Sequence, residues 1–143
     1  MKCVNYKIRL YEDRITIPLN RPCKCNVALA EISMAEINSP HDMHDNAIDV
    51  TCDQINSTFD NPNRLLRRIP FNSLEDGKYY HTWTARFLQM EEVDSEDKFL
   101  TLRIKRTCDG ENLMLGNIFG DNLILITLAF TKTDAPMSWT SYI

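Results

Sequence analysis

Leu100-Thr101-Leu102-Arg103-Ile104-Lys105 sets an apolar side chain at every second position, with a polar one between each pair. Successive side chains of an extended chain point to opposite faces, so a period of two belongs to a half-buried β-strand and not to a helix. Toward the C-terminus the turn Cys108-Asp109-Gly110-Glu111 closes this strand, and Asn122 to Phe130 follows, apolar on both faces. A strand of that kind is covered on both sides, by its own domain or by a neighbouring subunit.

Toward the N-terminus, Glu91 to Asp97 read as an acidic surface loop, and Trp83, Ala85 and Phe87 alternate with Thr82, Thr84 and Arg86 as a further strand. Leu65 to Phe71 is another, preceded by a loop over 54–63 whose Pro62 has no place in a central ladder. Ile48, Val50 and Cys52 alternate with Asp49, Thr51 and Asp53, beyond a polar connection from Asn38 to Asn46. In residues 25–34, Val27 and Leu29 fall on one face and Ala28, Ala30 and Ile32 on the other, the pattern of an interior strand. Ile15-Thr16-Ile17 and the alternating Tyr6, Ile8 and Leu10 complete the set. No segment carries a long helical stripe. The expectation is an all-β fold, a single jelly-roll β-sandwich of about eight antiparallel strands, with a seven-stranded immunoglobulin-like sandwich as the competitor.

The chain of 143 residues suits one domain over 1–143, and its 43% hydrophobic and 25% charged residues are ordinary globular composition. A net charge of -4 argues against nucleic acid as the primary partner, because such binders draw affinity from surplus Lys and Arg. No run approaches the length of a membrane span, and the start Met1-Lys2-Cys3-Val4-Asn5-Tyr6 lacks the apolar stretch of a signal peptide. Synthesis and folding in a reducing compartment are expected. Five scattered cysteines, Cys3, Cys23, Cys25, Cys52 and Cys108, then fit free thiols better than a disulfide framework.

Catalytic patterns are missing. His41-Asp42-Met43-His44-Asp45 has metal-ligand chemistry but lies in a polar loop, and Cys23-Lys24-Cys25 lacks the spacing and second ligand pair of a redox or zinc site. No nucleophile stands in a known motif, and Gly77, Gly110, Gly116 and Gly120 form no phosphate loop. No enzyme activity and no cofactor are expected. Asn56-Ser57-Thr58 is formally a glycosylation sequon. Two basic groups, Arg64, Arg67 and Arg68, and Arg103, Lys105 and Arg106, either meet acidic loops such as 91–97 of an adjacent subunit or packaged nucleic acid, or are the wet faces of strands that resist edge pairing.

The order of the motifs resembles the minor capsid, or penton, protein of Polinton (Maverick) elements and related adintoviruses and virophages. Ile15-Thr16-Ile17-Pro18-Leu19 and Asn26 to Met34 are similar to that family's "I-x-L" and "V-A-L-x-E-I-S" pieces. Ile48 to Ile55 and Leu65-Leu66-Arg67-Arg68-Ile69-Pro70 look like its "I-x-V-x-C-D-I-I" and "L-L-R-x-V-P" pieces. Leu100 to Ile104, Cys108-Asp109-Gly110 and Leu123 to Phe130 look like its closing strands and turn. Cys25-Asn26 stand where the family has an aromatic, and Met34-Ala35 where it has an aromatic and proline.

The resemblance implies a virion protein made in the cytoplasm and assembled in the nucleus, homopentameric at icosahedral vertices and surrounded by a double jelly-roll major capsid protein. Subunit contacts would then involve Arg64, Arg67, Arg68, Leu123, Leu125, Trp139 and Tyr142. The alternative is a receptor- or glycan-binding β-sandwich head of a viral fibre, exposing Tyr79, Tyr80, Trp83 and Trp139.

Overall fold

The computed structural model describes residues 2–9, 14–19, 23–35, 47–76, 80–96, 98–107, 110 and 123–132. These form ten strands: β1 (Lys2–Arg9), β2 (Arg14–Pro18), β3 (Cys23–Ala35), β4 (Ala47–Cys52), β5 (Leu65–Pro70), β6 (Glu75–Asp76), β7 (Tyr80–Thr84), β8 (Glu91–Ser95), β9 (Phe99–Arg106) and β10 (Leu123–Lys132). A single 3-10 turn, Phe71–Ser73, follows β5. One antiparallel sheet runs β1-β10-β3-β7-β6, with β8 also on β3, and the other runs β2-β9-β4-β5. The all-β sandwich expected from the alternation is therefore present.

The pairing is nested. The first strand pairs with the last, β2 with β9, β3 with both β7 and β8, and β4 with β5. The chain thus folds as a doubled ribbon whose limbs alternate between the two sheets. Inward side chains from both sheets make one core, with Ile15, Ile17, Ile48, Val50, Leu100, Leu102 and Ile104 from one and Val27, Leu29, Ile32, Ile124, Leu128 and Phe130 from the other. Such interdigitation of two inner faces is what holds a sandwich together.

The alternation expected for residues 25–34 is broken. Leu29 and Ile32 both lie in the core, although odd spacing should send them to opposite faces. Between Thr127 and Leu128 the register of β10 jumps from Glu31 to Leu29, leaving Ala30 as an extra residue, a β-bulge that resets which face each side chain meets. On the other side of β3 the pairing with β7 runs on undisturbed, and the Ala30 carbonyl accepts the Ala85 N–H at 2.9 Å.

Three further expectations are corrected. Residues 91–95 form a strand rather than a loop, with Val93 and Ser95 buried and Glu92 and Asp94 outward; one apolar residue among acids gave no visible period. The strand expected through Phe87 ends at Thr84. Cys25 is disulfide-bonded rather than free, whereas Cys3 and Cys52 are free, exposed and buried respectively. Spacing alone does not reveal which thiols a fold brings together.

A clasp at residues 53–55 joins the sheets. Gln54 Oε1 accepts the Thr101 N–H at 2.8 Å, its carbonyl accepts the Asp94 N–H at 3.1 Å, and Ile55 bridges Val93. One edge of the sandwich is closed by these contacts between β8 and the turn after β4.

Two buried protons bear on stability. Burial pushes the Tyr6 phenol up to about 12, and burial, with the Asp53 carboxylate adding to it, pushes the Cys52 thiol up to about 11. Both groups are neutral when protonated and hold the proton harder in the folded chain. Stability is full below the unfolded values of 9.0 and 10.0 and falls as pH rises through the folded ones. The melting temperature should therefore drop from about pH 9 upward. Tyr6→Phe should flatten the part above about pH 10, at no cost near neutrality because the Tyr6 hydroxyl is buried with no hydrogen-bond partner among the described residues. A melting temperature constant to pH 12 in the parent chain would contradict this account.

Candidate functional site

The three arginines of 64–68 are all engaged within the chain. Arg64 adopts a φ of 56°, which L-residues other than glycine seldom occupy, and its Nε donates to the Ile55 carbonyl at 3.0 Å. Arg68, outward on β5, makes a two-pronged ion pair with Asp49 at 2.7 and 3.0 Å, and the Asp49 hydrogen bond raises its already high pKa. Arg67 points to the opposite face from Arg68 by ordinary alternation, on the same side as buried Ile69, while a second bulge, with Val50 facing Arg67 but Thr51 facing Leu65, makes Leu66 the extra residue and sends it into the core as well. From the edge of one sheet Arg67 reaches across the mouth of the sandwich to the other. Its guanidinium carbon lies 5.1 Å from the centre of the Trp83 ring and 4.8 Å from that of Phe87, and it donates to Gln89 Oε1 at 3.4 Å. Both ring distances suit cation–π attraction.

This bridge floors a cleft of about 430 Å³ lined by Arg67, Arg68, Pro70, Leu74, Glu75, Trp83, Arg86 and Phe87. Trp83 is only 7% exposed and covered by Arg67, so it offers a partner an edge and not a face, contrary to the fibre-head expectation. Phe87, assigned by alternation to the core, is 68% exposed at the rim. Arg86 beside it has no ion pair or hydrogen bond among the described residues. Two aromatics and an arginine converging on a concavity are the usual makings of an interaction hot spot.

The second basic group sits on β9, the central partner of β2 and β4, so resistance to edge pairing does not account for it. Arg103 pairs with Asp53 at 3.0 Å and Lys105 lies opposite Asp49 in register, a mixed-charge sheet face. Leu125 is 40% exposed on the outer face of the six-stranded sheet, while Ile124, Ile126, Leu128 and Phe130 point inward, so the two-sided apolarity of this strand is only half used by the core. The side chain of Leu123 and all of Trp139, Tyr142, Tyr79 and the His41 to Asp45 loop lie outside the described residues. Among the described residues no three His, Cys, Asp or Glu side chains are grouped to hold a metal, and no helix is long and apolar enough to cross a membrane.

One exposed feature escaped the periodicity entirely. The loop after β4 carries Phe59, fully exposed, among Asn56, Ser57, Thr58, Asp60, Asn61 and Pro62. The loop is cross-tied. Asn61 accepts from the Leu65 N–H at 2.8 Å and donates to its carbonyl at 2.9 Å, Ser57 donates to the Pro62 carbonyl at 2.9 Å, and Thr58 and Asn61 exchange backbone bonds. An aromatic set among turn formers was the signal available in the sequence. The chain matches no protein-family model, no curated protein and no solved structure significantly.

Proposed function

We propose that this chain is a virion structural protein, a single jelly-roll minor capsid subunit that forms homopentamers at icosahedral vertices against a double jelly-roll major capsid protein. The observation that carries this reading is the nested pairing of β1 with β10, β2 with β9, β3 with β7 and β8, and β4 with β5 across two sheets. A doubled ribbon rolled into a sandwich is the arrangement of jelly rolls, which recur in viral capsids and close an all-β domain around one core. The order of sequence motifs and the concave aromatic site at the sandwich mouth support the same reading, since a capsid subunit acts through its interfaces.

Light scattering of the purified chain, alone and mixed with a double jelly-roll major capsid protein, tests the proposal. Five-subunit particles, or incorporation at vertices upon mixing, are expected. A chain that stays monomeric at high concentration and does not join the mixture would sink it, and a stable trimer would favour the fibre-head alternative.

A further inference from the structure

Two large apolar side chains stand far out of this protein, and each lacks what the other supplies. Phe59 is fully exposed at the tip of a loop whose cross-ties hold it in place, with Asp60 next in sequence. Loop rigidity has a cost: Arg64, which closes the loop with its bond to the Ile55 carbonyl, sits at a φ of 56°. Strain of this kind persists where the surrounding structure over-determines it and concentrates at functional sites. Some 430 Å³ of open cleft lies along the C-terminal half of β5 and the turn after it, with Phe87 at its rim, Trp83 and Arg67 at its floor and Arg86 beside it. Neither Asp60 nor Arg86 has an ion pair or hydrogen bond among the described residues.

We infer that the Phe59-Asp60 tip of one copy docks in the Arg67–Trp83–Phe87 cleft of a second copy, with Asp60 meeting Arg86. The inference rests on the homo-oligomer of the proposed function and names one contact within it. Aromatic side chains gain most when a ring and a cation already line the receiving pocket, and here Arg67 is held against two rings before any partner arrives. The complementary charges select the orientation. An extended peptide adding to the sheet edge is the poorer occupant, because β5 carries Arg67 and Arg68 along its edge and ends at Pro70, and β6 is two residues long. Knob and cleft occupy different parts of the surface, so the contact is heterologous: each copy gives its knob to one neighbour and its cleft to another, as a ring requires.

The test compares assembly by light scattering for the parent chain, Phe59→Ala, Asp60→Arg, Arg86→Asp and the double reversal, alone and in the major capsid mixture. All four variants change exposed residues and should melt with the parent chain. Phe59→Ala and each single reversal should raise the protein concentration needed for assembly at least about tenfold, and the double reversal should restore it. As a second readout, Phe59→Cys and Phe87→Cys copies mixed under mild oxidation should give an intermolecular disulfide between those two positions, located by peptide mass. Assembly by Phe59→Ala as by the parent, or failure of the double reversal to restore it, overturns the inference and leaves the capsid reading intact. A parent chain that neither assembles nor joins the capsid mixture removes the capsid reading, and absence of the engineered cross-link then removes the contact as well.

Discussion

Insertion of one alanine between Ala30 and Glu31 is expected to abolish cooperative folding. Cys25, Val27 and Leu29 face the core on one side of the bulge, and Ile32 and Met34 on the other. Deleting Ala30 would leave Leu29, Ile32 and Met34 in strict alternation and still inward, but an added residue beyond the bulge carries every later side chain to the other face, so Glu31 and Ser33 would then point where Ile32 and Met34 now pack. An unpaired buried carboxylate costs several kcal/mol even after relaxation, and two core side chains moved to water add roughly 1.5–3 kcal/mol each. The sum rivals the roughly 5–15 kcal/mol of a whole domain. Amide dispersion in a two-dimensional NMR spectrum and a thermal melt decide the matter: collapsed dispersion with no transition is the expected result, and a cooperative melt with native dispersion would show that the bulge absorbs the added residue. Ala30→Gly keeps the residue count and should cost no more than about 1 kcal/mol.

The second large effect is at Phe130. Its ring is fully buried among both sheets, and it stands opposite Val27 on β3 and Lys2 on β1. Phe130→Ala should lower the unfolding free energy by about 3–5 kcal/mol, the combined loss of transfer energy and of a cavity the neighbours only partly fill. Urea titration with an unchanged slope is the measurement. A loss below about 1 kcal/mol would mean that the site collapses freely and that β10 is not pinned as tightly as its burial implies.

Much of this architecture was legible because six strands state their period plainly: Ile48, Val50 and Cys52, or Leu100, Leu102 and Ile104, need nothing beyond alternation to find their faces. What alternation missed has a common cause. The bulges at Ala30 and Leu66 are chosen by the partner strand, and their effect on Ile32 and on Leu66 itself depends on contacts made far along the chain. Glu91 to Ser95 lacked enough apolar residues to show a period, although Val93 is wholly buried. Phe87 continued a pattern that the chain itself had abandoned at Thr84. The candidate site was read only in part. Arg67 and Arg68 were among the residues expected at an interface, and alternation puts Arg67 on the side of Ile69, but its seat against Trp83 and Phe87 depends on where the other sheet brings those rings.

The nested pairing also governs when the protein can fold during its own synthesis. Asn5 and Thr127 share a hydrogen bond across a separation of 122 residues, and β1 and β3 both bond to β10. Until β10 has left the ribosome, β1 lacks this partner and β3 exposes the side that β10 will cover, so the six-stranded sheet closes only once residue 132 has emerged. Pairings this distant slow folding and leave strand edges open to other nascent chains meanwhile. On a polysome translating many copies at once, the exposed edge of β3 is where chaperone protection would matter most.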